Sequence, residues 1–274
     1  MITNNPFTEL ATSMPLITPE VMQGYVIAMF IIVVASTIWD VVHKKSAKYF
    51  ALNAEKAAKS AKREVDSGER MSLAISTVTS EVLTSSEFSN QQRRMSHLLT
   101  MYGFIIFIVS TILMIFGDPA STTTPMFWHL GAAMVAVGGY WFWFIIRVDV
   151  SAEGNPWYKL GRADIFIVSL LATVTFALLW SFMQNNILFL LFIASSTTLF
   201  STVLWSKFAH MFFKPAAAYQ KKITKADGSQ ENLPDLGVLT DPELQARYPD
   251  IPEYMGKNPP NMGLGIKREA PHHY

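Results

Sequence analysis

The residues of this chain best suited to chemistry are its six histidines, because it has no cysteine. That composition excludes disulfides, thiolate zinc sites and cysteine-ligated iron–sulfur clusters within the chain. His97, in "QQRRMSHLLTMYGF", opens one apolar run, and His210, in "WSKFAHMFF", closes another. Two imidazoles on facing helices can hold a haem iron from both sides, with the macrocycle filling the space between the helices. The bland alternative is a pair of ordinary helix-end histidines. His43 lies beside Lys44 and Lys45 and reads as an interfacial residue. His129 follows Trp128 and reads either as a contact for a quinone head group or as another interfacial residue. His272 and His273 fall in the last three residues, where no specific role is expected.

These side chains need elements to position them, and the composition says which. Half of the 274 residues are hydrophobic and only 16% are charged, against about a quarter in soluble domains. A net charge of +1 gives no global field for nucleic acid. Five apolar runs, at about 22–42, 98–116, 126–146, 164–183 and 187–206, approach the roughly 20 residues that a membrane-crossing helix needs. They are too long and too continuous for strands. The expected fold is therefore an all-α membrane protein with five transmembrane helices.

Lys and Arg set the expected orientation. Segment 43–96 is rich in them, connection 147–163 carries Arg147, Lys159 and Arg162, and the tail starts with Lys207 and Lys214. "GDPASTTTP", "MQNN" and the first 21 residues carry none. This predicts an external N-terminal segment, 1–21, and a cytoplasmic C-terminus. The first run lacks the basic start of a cleaved signal and is expected to be retained. "YWFWF" (140–144) and Trp157 read as an aromatic belt on the inner side.

The membrane domain, 22–214, includes a cytoplasmic insertion at 43–96, expected to form one or two helices. Lys56, Lys59, Lys62 and Arg63 give it a basic face, suited either to anionic headgroups or to a partner. Residues 215–274 hold eight of the fourteen prolines, with apolar residues such as Leu233, Leu236, Tyr248 and Tyr254 between them. That pattern reads as a Pro-rich, extended partner-binding arm, or as a disordered tail.

"RRMSHLLTMYGFIIFI", "LGRADIFIVSLL" and "WSKFAHMFFKP" resemble the second, fourth and fifth helices of membrane cytochrome b subunits of the nitrate reductase gamma type. The likeness, over about 22–215, extends to membrane subunits of quinone-interacting oxidoreductase and heterodisulfide reductase-like complexes. The short, cysteine-free chain with its extended arm is most similar to membrane anchor subunits associated with dissimilatory adenylylsulfate reductase. The resemblance implies that His97 and His210 are axial ligands of one haem b. At the positions of the family's second histidine pair stand Phe107, ten residues after His97, and Phe192, eighteen before His210. Phenylalanine cannot ligate iron, so at most one haem is implied, with no metal beyond its iron.

The resulting expectation is a multi-pass subunit of the bacterial inner (cytoplasmic) membrane, with no catalytic residues of its own. It would link a cytoplasmic oxidoreductase, bearing flavin and iron–sulfur subunits, to the quinone pool. Arg94, Lys207 and Arg162 are placed for haem propionates or quinone oxygens, or for snorkelling to the headgroups. Asp164 is read as an ion-pair partner of nearby cations in preference to a proton-uptake group. The competing expectation is a cofactor-free structural anchor for a soluble enzyme.

Overall fold

The computed structural model describes residues 2–43, 46–86, 88, 90–150, 154–203 and 210–229, with positions 242 and 246. Every regular element among them is helical. A 3-10 turn (Pro6–Glu9) and α1 (Leu10–Ser13) precede the long α2 (Pro19–His43). The insertion supplies α3 (Ser46–Lys59) and α4 (Ser67–Ser76), which continues as a π-helical segment through Leu83. Then come α5 (Gln91–Phe116), α6 (Thr123–Trp141) with a π-helical end to Ile146, α7 (Ile165–Met183), α8 (Asn186–Ser201) and α9 (His210–Ala226).

Local sequence explains the boundaries. The Asn90 side chain accepts from the amides of Gln92 and Arg93 and starts α5. In "MQNN", Gln184 adopts a left-handed conformation (φ 49°) and Asn185 caps α8, so α7 turns back at once into α8.

Four stretches are long and apolar enough to cross a membrane: Pro19–His43, Gln91–Phe116, Thr123–Ile146 and Arg162–Met183. The fifth apolar helix is shorter than expected. Asn186–Ser201 has 16 residues, which rise about 24 Å against a hydrocarbon core of about 30 Å. Its second half trades apolar bulk for hydroxyls, in "SSTTLFST" (195–202). Ser195, Thr197, Thr198 and Thr202 each donate to the carbonyl four residues back. The rest of the expected span, 204–206, lies outside the described residues. The arm expected to be extended from 215 instead begins as helix, in α9 through Ala226, and most of its residues after 229 lie outside the described ones.

The bundle is held by close backbone approach and by hydrogen bonds between helices. At Gly103 a Cβ would lie 2.8 Å from the carbonyl oxygen of Gly131, and at Gly131 it would lie 2.6 Å from the amide nitrogen of Phe107. Ser96 Oγ donates to Gly138 O at 2.8 Å and Trp128 Nε1 to Thr111 Oγ1 at 2.9 Å, so α5 and α6 are joined along their length. Tyr25 OH reaches Ser196 Oγ at 2.7 Å and ties α2 to α8.

The two ends of the bundle differ. At one end the N-terminal segment folds in, and Asn5 Nδ2 donates to Met114 O at 2.9 Å. The opposite end, called the basic end below, carries the insertion and α9. There Lys222 Nζ bonds Ser76 and Ser80 and pairs with Glu81 at 3.6 Å. The amides of Lys62 and Arg63 both donate to Asp227 O. Residues 46–86 and 210–229, far apart in sequence, thus form one largely helical cap. Arg63 also pairs with Glu69, whose carboxyl is held below its usual range chiefly by the guanidinium hydrogen bonds.

Gly131→Ala should lower the midpoint of thermal unfolding in detergent, because overpacking costs about 1–3 kcal/mol and outweighs a helix-propensity gain of up to about 1 kcal/mol. Gly24→Ala, where an added Cβ meets nothing within 4 Å, should be neutral or slightly stabilising in the same scan. A second expectation concerns pH. Because the Glu69 value is depressed, its contribution is complete above the ordinary carboxylate range and is lost as pH falls through the lowered value. Limited proteolysis around 226–229 should therefore rise with acidification, and Glu69→Gln should show the acid-level rate already at neutral pH.

Candidate functional site

His97 lies half-buried in the second turn of α5. Its Nδ1 is 3.1 Å from Ser85 Oγ, and its ring lies 5.0 Å from that of Phe88. Ser85 is buried and holds a left-handed backbone (φ 48°), a conformation that costs a residue with a Cβ of order 1–3 kcal/mol. The chain around it is clamped onto α5. Arg94 Nε donates to Thr84 O at 2.8 Å, and Tyr102 OH donates to Leu83 O at 2.7 Å. Cations gather over the exposed part of this clamp. The Arg93 guanidinium is 5.7 Å and the Lys214 ammonium 5.5 Å from the Phe88 ring centre.

The other half of the expected haem site is less fully described. His210 opens α9, one turn before Lys214, and its side chain lies outside the described residues. Lys207 lies outside them altogether, as do His272 and His273. The Lys214 contact brings the start of α9 to Phe88, and Phe88 touches His97. The two elements that carry the sequence-predicted ligands therefore meet at the same clamp.

Phe107 and Phe192 are both buried. Phe107 packs on Trp128 at 5.3 Å and Phe192 stacks on Trp180 at 5.9 Å. Phe7, from the N-terminal turn, bridges the two halves, 6.3 Å from Trp128, 5.1 Å from Trp180 and 6.5 Å from Phe192. The interior toward the N-terminal end is filled by aromatic rings.

His129 is buried rather than interfacial, at 6% exposure. Its Nδ1 lies 2.7 Å from Pro125 O and its Nε2 2.6 Å from Ser181 Oγ. Both nitrogens are engaged inside the bundle, where the imidazole ties α6 to α7. His43 stacks on Trp39 at 5.9 Å, at the end of α2.

Two charged residues stand out that spacing did not single out. Arg147, 4% exposed, forms a bidentate pair with Asp164, Nη1–Oδ1 2.6 Å and Nη2–Oδ2 2.9 Å. It also donates to Lys159 O, and its guanidinium lies 4.1 Å from the Trp143 ring centre. The partner of Asp164 is thus Arg147 across the α6–α7 connection, while its sequence neighbour Arg162 is exposed. Trp143 is correspondingly buried, so the expected aromatic belt splits: Tyr140, Phe144 and Trp157 face outward. Asp40 is the other, a buried carboxylate near the basic end of α2. The available signal was an isolated charge inside an apolar run.

Beside Asp164 a cavity of about 260 Å³ opens between α7 and α8, lined also by Leu160, Gly161, Val168, Ala172, Ser195 and Thr198. Among the described residues no group of three or more His, Asp or Glu is arranged to hold a metal ion. Comparison of the chain with protein-family models, with curated proteins and with solved structures finds no match in any of the three.

Removing one partner of the Arg147–Asp164 pair should be costly. Asp164→Ala is expected to destabilise by about 3–5 kcal/mol, because it strands a buried guanidinium. Arg147→Met combined with Asp164→Leu should recover most of that loss. Denaturation of the two variants in matched detergent measures the difference.

Proposed function

We propose that this chain is the membrane anchor of a redox complex, seating a soluble oxidoreductase on its basic end and passing electrons between that enzyme and the quinone pool. The observation that carries the reading is the helical cap. Two distant segments are joined there by the Lys222 and Asp227 contacts, over the end of the bundle where His97 lies. Such a cap offers a soluble partner a fixed platform, and the first residues of the expected arm, 215–226, belong to it as part of α9. Lys and Arg in the connections favour a cytoplasmic cap and an external N-terminus in a bacterial inner membrane. The sequence resemblance favours adenylylsulfate reductase, with its flavin and iron–sulfur subunits, as the partner.

A single haem b would supply the one-electron carrier. The surroundings of His97 suit one. The Ser85 contact at Nδ1 is the kind of outer hydrogen bond that fixes the ring of a ligating imidazole. Phe88 would provide an apolar wall, and Arg93, Arg94 and Lys214 would be the cations available to its propionates. His210 would supply the second axial side. The rival reading is a cofactor-free anchor; the rings packed around Phe107 and Phe192 fill the place of the family's second haem and are common to both readings.

The test is a dithionite-reduced minus oxidised absorption spectrum of the full chain produced with ample haem, beside His97→Ala and His210→Ala. A b-type band lost in both variants is the expected result. A folded wild type with no band would overturn the haem and leave the anchor, which titration with purified adenylylsulfate reductase tests separately.

A further inference from the structure

Within the cap, α4 and its π-helical continuation have two unlike sides. Met71, Ile75 and Val78 are 63%, 57% and 50% exposed, and their spacing puts them on one side of the segment. Ser76 and Ser80 lie on the other side, where both accept from Lys222 of α9. Leu83, also exposed, ends the segment. From Met71 to Ser80 the sequence carries no charge, and the exposed Arg70 stands just before it. The polar side is therefore bonded into the cap, and the apolar side faces away from it.

Tyr102 decides where that apolar side lies. It belongs to a stripe of α5 with Ile105, Val109, Ile112 and Phe116, all exposed and spaced three or four residues apart. On a helix long and apolar enough to cross a membrane, such a stripe is the lipid-facing side. From this stripe the Tyr102 hydroxyl donates to Leu83 O at 2.7 Å. The rise from Tyr102 to Phe116 is about 21 Å, short of a hydrocarbon core of about 30 Å, so Tyr102 stands inside the core. Helical side chains lean toward the N-terminus, which for α5 is the basic end, so the hydroxyl reaches back toward the headgroups. Leu83 is thus held against the lipid-facing side of α5, at the boundary between hydrocarbon and headgroups. Thr77, Thr79, Ser80 and Thr84 each donate to the carbonyl four residues back. The segment therefore satisfies its hydroxyl protons without water. A soluble protein could cover the apolar side only by entering the headgroup layer.

We propose that α4 and its π-helical end lie in the membrane interface as a shallow amphipathic anchor, with Met71, Ile75 and Val78 among the upper acyl chains and Arg70 at the lipid phosphates. The inference needs the bundle to cross a membrane and is independent of any haem, quinone or redox partner. The anchor fixes the height of the clamp around Ser85 and Phe88 against the bilayer. It leaves to a soluble partner the side of the cap formed by α3 and α9.

The chain has no cysteine, so single nitroxides can be placed without background. Met71→Cys, Ser72→Cys, Ile75→Cys and Val78→Cys are labelled in turn in the full chain, in phosphatidylcholine vesicles containing phosphatidylglycerol. All four positions are exposed and none bonds Lys222, so the cap stays intact. Power saturation then reads collisions with oxygen, which partitions into acyl chains, and with a water-soluble nickel chelate. The oxygen-to-nickel ratio is expected to be several-fold higher at the Met71, Ile75 and Val78 positions than at Ser72, on the flank of the same helix. Equal ratios at all four positions would overturn the anchor. Labels at Met71, Ile75 and Val78 shielded from both reagents would mean that a second copy of the chain covers this side, and would overturn it too. Neither outcome bears on the b-type band sought above, so the two readings fail separately.

Discussion

Helices in a bilayer gain little from burying apolar side chains against one another, since lipid tails are as apolar as leucine. Association then depends on backbones coming close and on polar groups finding partners. In this chain the closest approach is α5 against α6 at Gly103 and Gly131, where no side chain fits between the backbones. The rest of the bundle is built outward from that pair. α6 reaches α7 through His129–Ser181 and Tyr140–Thr175. α7 turns into α8 at Gln184–Asn185, and α8 receives α2 through Tyr25. His129 belongs to this scaffold, and that explains why a histidine at one end of an apolar run lies buried.

With the scaffold fixed, the two ends take different characters. The N-terminal end is sealed: Asn5 is bonded into α5, and Phe7 completes a continuous set of rings from Phe107 to Phe189. The basic end is where the chain tolerates costly features. Ser85 is left-handed, two π-helical segments end α4 and α6, and a buried ion pair ties Arg147 to Asp164. Left-handed backbone is shared with the other end, at Gln184, but the π-helical segments and the buried ion pair are features that tend to occur where structure serves something other than stability.

Much of this could be read from sequence because its causes are local. Four of the five expected spans correspond to helices of membrane-crossing length, since a run of about 20 apolar residues is itself the cause. The breaks at "GDPASTTTP" and "MQNN" follow from capping residues and turns. What could not be read depends on contacts between distant residues. Hydropathy saw residues 187–206 as one run and gave no weight to the hydroxyls that accompany the end of α8 at Ser201. Spacing marked His97 but could not place Ser85 and Phe88 against it. Arg147 looked like one more inner-side cation until the fold put Asp164 beside it. Nothing in "NNPFTEL" announces a ring that packs between Trp128 and Trp180.

The asymmetry of the ends also limits what the proposed anchor can do with electrons. On the proposed reading the partner, the haem and the exchange with quinone would all lie at the basic end, and the rings around Phe107 and Phe192 fill the place of a second haem toward the other end. Electrons would enter and leave on the same side. Moving a charge across the membrane potential is worth about 2.3 kcal/mol per 100 mV, and a subunit arranged this way exchanges none of that energy. Its direction of flow is then set by the potentials of the partner and the quinone pool alone. On that proposed reading the fold would serve position: it would hold a soluble enzyme at the height of the quinone head groups and leave the potential across the membrane untouched.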